Sequence, residues 1–294
     1  MNRRLCTRTG LSIIEGPVTM YRVSVAKSGR GPLNPKERPA DPAVDRRDWN
    51  RFDTPGLTIY GADLRVTAFT ESLAFKAPSA RNYAAMAEEA RFLGLGVDEL
   101  LTDLRNAGMP VDGMDPDWRL DREIYRLDFR LRPWIDLTHP DTVVAIKASG
   151  MAAADRMTVA DLTGDDRKLT TSIAQWIRAQ RLDDGTQPAG LRYPSKFGFS
   201  EGDYCYAGFI AEPNTGCACS GSGFSVNDPD LTEAVRRTGV HVSRAPSANS
   251  NSAPAFVVSC RYDGMGLPLG GVVSGGRPTG SSVFAVKAAW RRYW

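Results

Sequence analysis

Short β-rich segments recur from residue 19 to residue 211, and they constrain the fold more than any other feature. Strand-like alternation or composition occurs at residues 19–25, 56–61, 123–137, 190–195 and 204–211. Helical spacing occurs between them, at residues 64–75, 79–108, 141–148 and 168–181, with Asp63 as the expected N-cap of the first helix. The sequence therefore predicts a domain in which strands and helices are interspersed.

The two ends of the chain differ from the middle in amino-acid composition. Residues 1–18 are basic with only a short apolar run, which predicts a disordered N-terminal arm. After residue 212 glycine, proline and serine dominate, so we expect a main domain over residues 19–211 and a C-terminal extension over 212–294. A chain of 294 residues that is 42% hydrophobic suffices for such a domain with an appendage.

Composition argues against several classes of protein. A net charge of +3 is too small to predict a nucleic-acid surface, and the absence of a run of about 18 apolar residues predicts no membrane span. Five cysteines give no even disulfide framework, which favours a reduced, cytoplasmic protein. With two histidines we expect no zinc site of the usual kind, although Cys217 and Cys219 with Cys205 are a minor alternative for a metal.

Three separated fragments carry polar side chains on predicted strands or helices. Together they supply two guanidinium groups, a phenol, a carboxylate and a hydroxyl, on Arg22, Arg51, Tyr60, Glu71 and Ser195. Such a set suits an anionic ligand that contains ribose, such as a dinucleotide. Neither Gly-x-Gly-x-x-Gly nor Gly-x-x-x-x-Gly-Lys-Ser/Thr occurs, so Rossmann and P-loop modes of nucleotide binding are not supported.

Glu71 is the sharpest local signal. A helix over residues 64–75 places Glu71 on an otherwise apolar face, between Ala68 and Phe75. Because a buried carboxylate is costly without a partner, this position indicates either a functional site or an ion pair with an arginine. The candidate arginines are Arg22, Arg51 and Arg65.

The other candidates have structural alternatives as well. Arg22 lies in the middle of a predicted strand, where arginine commonly faces solvent, and Tyr60 could pack in the core or stack on a planar ring. Ser195 follows Pro194 without a Gly-x-Ser-x-Gly elbow, and histidines are scarce. A hydrogen-bonding serine is therefore favoured over a hydrolytic nucleophile.

The ordered fragments resemble the RES domain, which is named for an Arg, a Glu and a Ser and forms the toxin half of many bacterial toxin–antitoxin pairs. The matching stretches are Tyr21-Arg22-Val23, Asn50-Arg51-Phe52-Asp53, Ile59-Tyr60-Gly61-Ala62, Thr67-Ala68-Phe69-Thr70-Glu71 and Gly190-Leu191-Arg192-Tyr193-Pro194-Ser195-Lys196. The resemblance covers residues 19 to about 211. It implies an α+β fold like that of ADP-ribosyltransferases, with a mixed sheet core and flanking helices. Residues 78–120 would be a helical insertion, and residues 212–294 a Gly/Ser-rich extension.

The resemblance also implies a role for each site residue. The catalytic residues would be Arg22, Glu71 and Ser195, and the substrate-binding residues Tyr21, Arg51 and Tyr60. The two arginines would hold the pyrophosphate or an attacking phosphate, and Tyr60 would pack against nicotinamide or its ribose. Glu71 would orient the ribose hydroxyls and stabilise an oxocarbenium ion, while Ser195 would bind the nicotinamide end. Neither a metal nor a bound cofactor is expected.

Characterised RES proteins degrade NAD, so the expected function is a toxin that cleaves the nicotinamide–ribose N-glycosidic bond. NAD would be the substrate, and water or inorganic phosphate the acceptor. An ADP-ribosyltransferase that modifies a macromolecule and a non-catalytic binding protein on the same fold are the alternatives. The resemblance further implies an Xre-type antitoxin as partner, within a homo- or hetero-oligomer.

Overall fold

A mixed β-sheet with helices packed on it forms the centre of the fold in the computed structural model. The structure describes residues 2–26, 35–41, 43–77, 80–106, 113–114, 116–130, 132–152, 154–198, 202–210 and 217–242. The strands are β1 (Asn2–Leu5), β2 (Ser12–Glu15), β3 (Val18–Val25), β4 (Lys36–Arg38), β5 (Gly56–Ala62), β6 (Gly113–Met114), β7 (Arg122–Phe129), β8 (Trp134–Asp136), β9 (Gly190–Pro194), β10 (Tyr204–Ile210), β11 (Cys217–Ser222) and β12 (His241–Val242). The helices are α1 (Arg65–Leu73), α2 (Ala80–Phe92), α3 (Val97–Asn106), α4 (Pro140–Lys147), α5 (Arg167–Ala179) and α6 (Pro229–Thr238), and short 3-10 helices cover Ala74–Lys76, Pro116–Arg119 and Ala160–Thr163.

Ten strands form the main sheet in the order β1-β2-β8-β9-β10-β5-β3-β7-β11, with β4 paired to β5 beside this path. The pair β8–β9 is parallel, whereas the other pairs of this sheet are antiparallel. A parallel pair needs a long crossover, and α4 and α5 lie in the connection between β8 and β9. The expectation of a mixed α+β core with flanking helices is therefore confirmed.

Helices α4 and α5 cover one face of the sheet. Helix α5 begins at its N-cap Asp166, whose side chain accepts a hydrogen bond from the Leu169 N–H. Its buried stripe of Leu169, Ile173 and Ile177 steps by four residues, as the sequence predicts, and packs in one cluster with Leu191 of β9. The opposite face forms a second apolar cluster around Trp134 and Tyr206.

Strands β3 and β5 touch at a single point. Their only pair among the described residues is Tyr21 with Ala62, and beyond it β5 pairs with β4 instead. The approach is close, because a Cβ at Gly61 would lie 2.8 Å from the Met20 sulfur. A side chain at position 61 would displace the buried side chain of Met20, so glycine allows this close approach of the two strands.

The expectation of a disordered N-terminal arm over residues 1–18 is wrong. Strand β2 pairs with β8, and β1 pairs with β2. Leu11, Ile13 and Ile14 are fully buried. The apolar run is too short to signal a strand alone, but it places core residues on both faces of β2, which lies between β1 and β8.

The boundary expected near residue 212 is also wrong. Strand β11 pairs with β7 over six residues, so the sheet continues beyond residue 212. Helix α6 packs against α1 in a cluster that contains Phe69, Leu73 and Leu231. Residues 243–294 of the expected extension lie outside the described residues.

The chain divides into two compact units, the first of which covers residues 1–85 and 112–243. In the second, α3 packs with the C-terminal part of α2 through Ala90, Leu100 and Leu104. The sequence predicts both helices, and the segment expected as a helical insertion over residues 78–120 contains them. In the described part of the chain, no helix has the length and apolar character needed to span a bilayer.

Candidate active site

The carboxylate of Glu71, on α1, accepts hydrogen bonds from Ser195, which follows β9, and from Cys205 of β10. Ser195 Oγ donates to Glu71 Oε1 at 2.6 Å, and Cys205 Sγ donates to the same oxygen at 3.5 Å. Glu71 Oε2 accepts no hydrogen bond from the residues that the structure describes. One carboxylate oxygen is thus fixed by the protein, and the other can accept from a ligand.

Two of the three arginines that the sequence offers as ion-pair partners for Glu71 bond other groups. Arg65 pairs with Asp228 at 2.6 Å and with Asp230 at 2.8 Å, which links α1 to α6. Arg22 Nη1 donates to the backbone carbonyl of Tyr60 at 2.9 Å. The partners of Glu71 in the described structure are instead a hydroxyl and a thiol.

Ser195 directly follows β9 and is fixed by its neighbours. Its N–H donates to the Asp203 carbonyl at 2.8 Å, and its Oγ accepts from the Phe197 N–H at 3.1 Å. The Asp203 carboxylate in turn accepts from Thr67 Oγ1 of α1 at 2.7 Å. These bonds tie the loop that carries Ser195 to the helix that carries Glu71.

Arg51 is a half-buried guanidinium with unused donors. Its Nε and Nη1 are buried and have no hydrogen-bond partner. The guanidinium lies 5.7 Å from the centroid of the Tyr193 ring, and this ring also packs on Phe52 at 4.4 Å. Buried donors are normally satisfied, so this guanidinium is the group of the site most in need of an acceptor.

The buried carboxylate of Asp53 fixes the segment that carries Arg51. It accepts from Arg38 Nε at 2.7 Å, from the Asn50 N–H at 2.8 Å and from the Tyr60 hydroxyl at 2.8 Å. The Tyr60 hydroxyl also accepts from the Phe52 N–H at 3.0 Å. The hydroxyl of Tyr60 is therefore engaged within the protein, and its ring is the part left to meet a ligand.

Arg22 lies where β3 and β5 separate. Because successive residues direct their backbone groups to opposite neighbours, the Tyr60 carbonyl points to the side from which β3 departs. Arg22 Nη1 donates to this carbonyl, while Arg22 Nε is buried without a partner. Burial lowers the pKa of Arg22 to about 10, which leaves the guanidinium charged at neutral pH.

The pKa values of two acidic groups near Glu71, the Cys205 thiol and the Tyr193 phenol, are raised. Burial, followed by the negative charge of Glu71, raises the pKa of the Cys205 thiol well above its usual range. Burial and then the neighbouring Cys205 and Glu71 raise the pKa of Tyr193 in the same way. Both side chains are therefore neutral at physiological pH, and Cys205 acts as a hydrogen-bond donor to Glu71 and not as a thiolate nucleophile.

Comparison with known proteins assigns no family to the chain. No protein-family model matches it, and no curated protein matches it either. A solved structure, the crystal structure of the M. tuberculosis MbcT–MbcA toxin–antitoxin complex, matches at 16% identity with a TM-score of 0.36, covering 67% of this chain and 75% of the other. At that TM-score the match assigns neither fold nor function.

The contacts above join five of the six predicted site residues in two groups. Glu71 bonds Ser195 in one group, whereas in the other Arg22 bonds Tyr60, and Tyr60 bonds the segment of Arg51. Arg51 connects the two groups by packing on Tyr193, which pairs with Cys205, a donor to Glu71. Tyr21, the sixth, is half-buried and packs in the apolar clusters beside the sheet. Its contribution in this structure is packing.

Three residues of the site, namely Asp53, Tyr193 and Cys205, were not assigned to it from the sequence. Asp53 and Tyr193 lie inside the matching stretches, so a search of these stretches for buried polar or aromatic groups could have found them. Cys205 has no local signal, because its role depends on the pairing of Cys205 with Tyr193 between β10 and β9. The alternative of a metal held by Cys205 with Cys217 and Cys219 stays a prediction, because the Cys217 side chain lies outside the described part of the chain.

The arrangement has two chemical parts. The guanidiniums of Arg22 and Arg51 have unused buried donors, which suit the oxygens of a phosphate or pyrophosphate. The carboxylate of Glu71 has one open oxygen, which suits a hydroxyl donor or a positive charge that develops on a sugar. A ligand with phosphates and a ribose fits both parts.

Proposed function

We propose that this protein is a NAD-degrading enzyme that cleaves the N-glycosidic bond between nicotinamide and ribose. The observation that carries the proposal is the open oxygen of Glu71, with Oε1 fixed by Ser195 at 2.6 Å, in the same site as the unpartnered donors of Arg51. The resemblance of the fragments to the RES domain supports the same substrate and a toxin role.

The proposed reaction needs little acid catalysis. The bond between C1′ of the ribose and the pyridinium nitrogen breaks, and its electron pair stays on nicotinamide, which leaves as a neutral base. The ribose becomes an oxocarbenium ion, which the negative charge of Glu71 stabilises. A water oxygen then bonds C1′ and releases a proton, giving ADP-ribose; a phosphate oxygen would give the 1-phosphate instead.

The protein's contribution in this scheme is position and charge. Arg51 and Arg22 hold the pyrophosphate, or an attacking phosphate, through donors that the protein itself leaves unused. Ser195 keeps Glu71 Oε1 in place, so that Oε2 meets the ribose hydroxyls. Preorganised charge of this kind typically contributes several kcal/mol to lowering a barrier.

The test is incubation of the purified full chain with NAD, with and without inorganic phosphate, beside a Glu71→Gln variant. We expect nicotinamide release by the wild type only, and the ribosyl product identifies the acceptor. Labelled ADP-ribose on a macromolecule would instead indicate the transferase alternative. NAD that stays intact with wild-type protein, freed of any bound Xre-type partner, would overturn the proposal.

A further inference from the structure

Two phenylalanines flank the hydrogen bond between Glu71 and Ser195. Phe75 lies four residues after Glu71, in the 3-10 helix that directly follows α1, and its side chain is 70% exposed. Phe197 lies two residues after Ser195, and its N–H donates to Ser195 Oγ at 3.1 Å. Both phenylalanines thus lie within four residues of Glu71 or Ser195, the two residues joined by this hydrogen bond.

The two rings contact one another at the edge of the site. Their centroids are 6.1 Å apart with an interplanar angle of 72°, an edge-to-face arrangement. Lys196 Nζ lies 5.9 Å from the Phe197 ring and is itself bonded to Asp165 at 2.6 and 2.7 Å. A single exposed phenylalanine is ordinary, but an exposed ring that packs on a half-buried one, next to the loop that fixes a carboxylate, is a surface on which a planar ring can stack.

We infer that Phe75 and Phe197 form the stacking surface for the leaving base of the substrate, an inference that rests on the proposed function. The leaving base is bonded to C1′, the atom whose charge Glu71 stabilises, so it lies near the Glu71–Ser195 bond, to which the Phe197 N–H is itself hydrogen-bonded through Ser195 Oγ. The adenine lies beyond the pyrophosphate and a second ribose. The aromatic pair therefore selects a pyridinium base at the reacting ribose.

The charge of the base determines which kinetic constant the pair affects. A pyridinium ring is cationic before cleavage and neutral afterwards, so aromatic faces attract it most strongly in the bound substrate. An interaction at least as strong in the ground state as in the transition state lowers KM without raising kcat. Loss of either ring should therefore raise KM for NAD and leave kcat nearly unchanged.

The test compares two ligands that differ only in the leaving base. Binding of NAD and ADP-ribose is measured by titration of Glu71→Gln protein, with and without a second change, Phe75→Ala or Phe197→Ala. Steady-state kinetics with NAD are measured for Phe75→Ala and Phe197→Ala in the protein that keeps Glu71. We expect NAD to bind about five- to ten-fold more weakly and ADP-ribose to bind as before. Phe75→Trp should retain NAD binding and Phe75→Leu should not. Phe92→Ala, at a phenylalanine of α2 that is 86% exposed, is the matched control and should change neither ligand.

Each other outcome overturns the inference in a recognisable way. Unchanged affinity for both ligands, with NAD still cleaved by wild-type protein, removes the stacking surface and leaves the proposed function standing. An equal loss for NAD and ADP-ribose indicates a general distortion of the site or contact with the adenylate half, and also overturns it. If wild-type protein neither cleaves nor binds NAD, the proposed function fails together with the inference.

Discussion

The carboxylate of Glu71 and the hydroxyl of Ser195 are joined by a hydrogen bond of 2.6 Å although 124 residues separate them in the chain. Glu71 lies on α1, which follows β5, and Ser195 directly follows β9. The two residues meet because β10 pairs with both β5 and β9. The sheet thereby brings a helix and a strand end into a single polar site.

Removal of the Glu71 carboxylate should lower the proposed activity more than removal of the Ser195 hydroxyl. Glu71→Gln removes the negative charge, and we expect kcat/KM for NAD to fall at least about 100-fold. Ser195→Ala leaves the charge but releases Oε1, and we expect a fall of roughly 10- to 100-fold. Nicotinamide release measures both. Ser72→Ala is the matched control, because the Ser72 hydroxyl bonds the Ala68 carbonyl on the same helix, and it should stay near wild type.

Arg51 should lower the stability of the protein without ligand and strengthen the binding of NAD. Its buried Nε and Nη1 have no partner, so Arg51→Met removes a desolvation cost and should raise the free energy of unfolding by about 1 kcal/mol. The same change should weaken NAD binding at least about ten-fold. Urea unfolding and ligand titration measure the two effects.

Arg178→Met is the matched control for this prediction. Arg178 Nη1 donates to Thr54 Oγ1 at 2.7 Å and to the Pro55 carbonyl at 3.1 Å, so its replacement should cost about 2 kcal/mol. A loss of stability in Arg51→Met comparable to that in Arg178→Met would contradict the assignment of Arg51 as a guanidinium kept for a ligand.

Local patterns were sufficient to predict most elements near the site. The alternation of residues 19–25 and the four-residue steps of α5 need no tertiary information, and the structure has both elements. Glu71 was found for the same reason, since a carboxylate on an apolar helix face is a local anomaly. Asp63 was predicted as an N-cap, but its carboxylate accepts from the Tyr204 N–H of β10 instead, and the N-cap of α1 is Leu64.

What local patterns did not predict depends on long-range pairing. Strand β2 has only four residues, and its place in the sheet follows from pairing with β8, over a hundred residues later. Helix α6 lies in a Gly-rich region, yet it has a Pro at its first turn, an Asp228 N-cap and a left-handed Gly239 after its last residue. These capping residues are visible in the sequence, but the glycines around them favour a loop, so the helix was not predicted.

The stability of the protein should depend on pH through Asp63. Burial raises the pKa of this carboxyl to about 6, against a usual value of 3.8 in the unfolded chain. The folded state therefore holds the proton more tightly, and stability present below pH 4 is lost as the pH rises through 6. With allowance for solvent screening of a partly exposed group, the loss is about 1 kcal/mol.

Asp63→Asn isolates this effect because its amide oxygen can still accept from the Tyr204 N–H. Urea unfolding at pH 4 and pH 7 gives the difference in unfolding free energy between the two proteins. The wild type should lose stability relative to the variant over this range. A difference that is flat with pH, or that moves in favour of the wild type, would show that Asp63 titrates normally in the folded protein.

The apolar cluster between α1 and α6 should contribute strongly to stability. Deletion of residues 212–294 removes β11 and α6, and with them Phe224, Leu231 and Val240, which pack with Phe69 of α1. Each of these buried side chains contributes about 1.5–3 kcal/mol, so we expect loss of cooperative unfolding, measured by thermal melting. Leu231→Ala in the full chain isolates the contribution of α6 and should cost about 2–5 kcal/mol, whereas Leu120→Ala, at a side chain that is 61% exposed, should cost little. A Leu231→Ala protein that melts like the wild type would contradict the assignment of residues 217–242 to the core of the first unit.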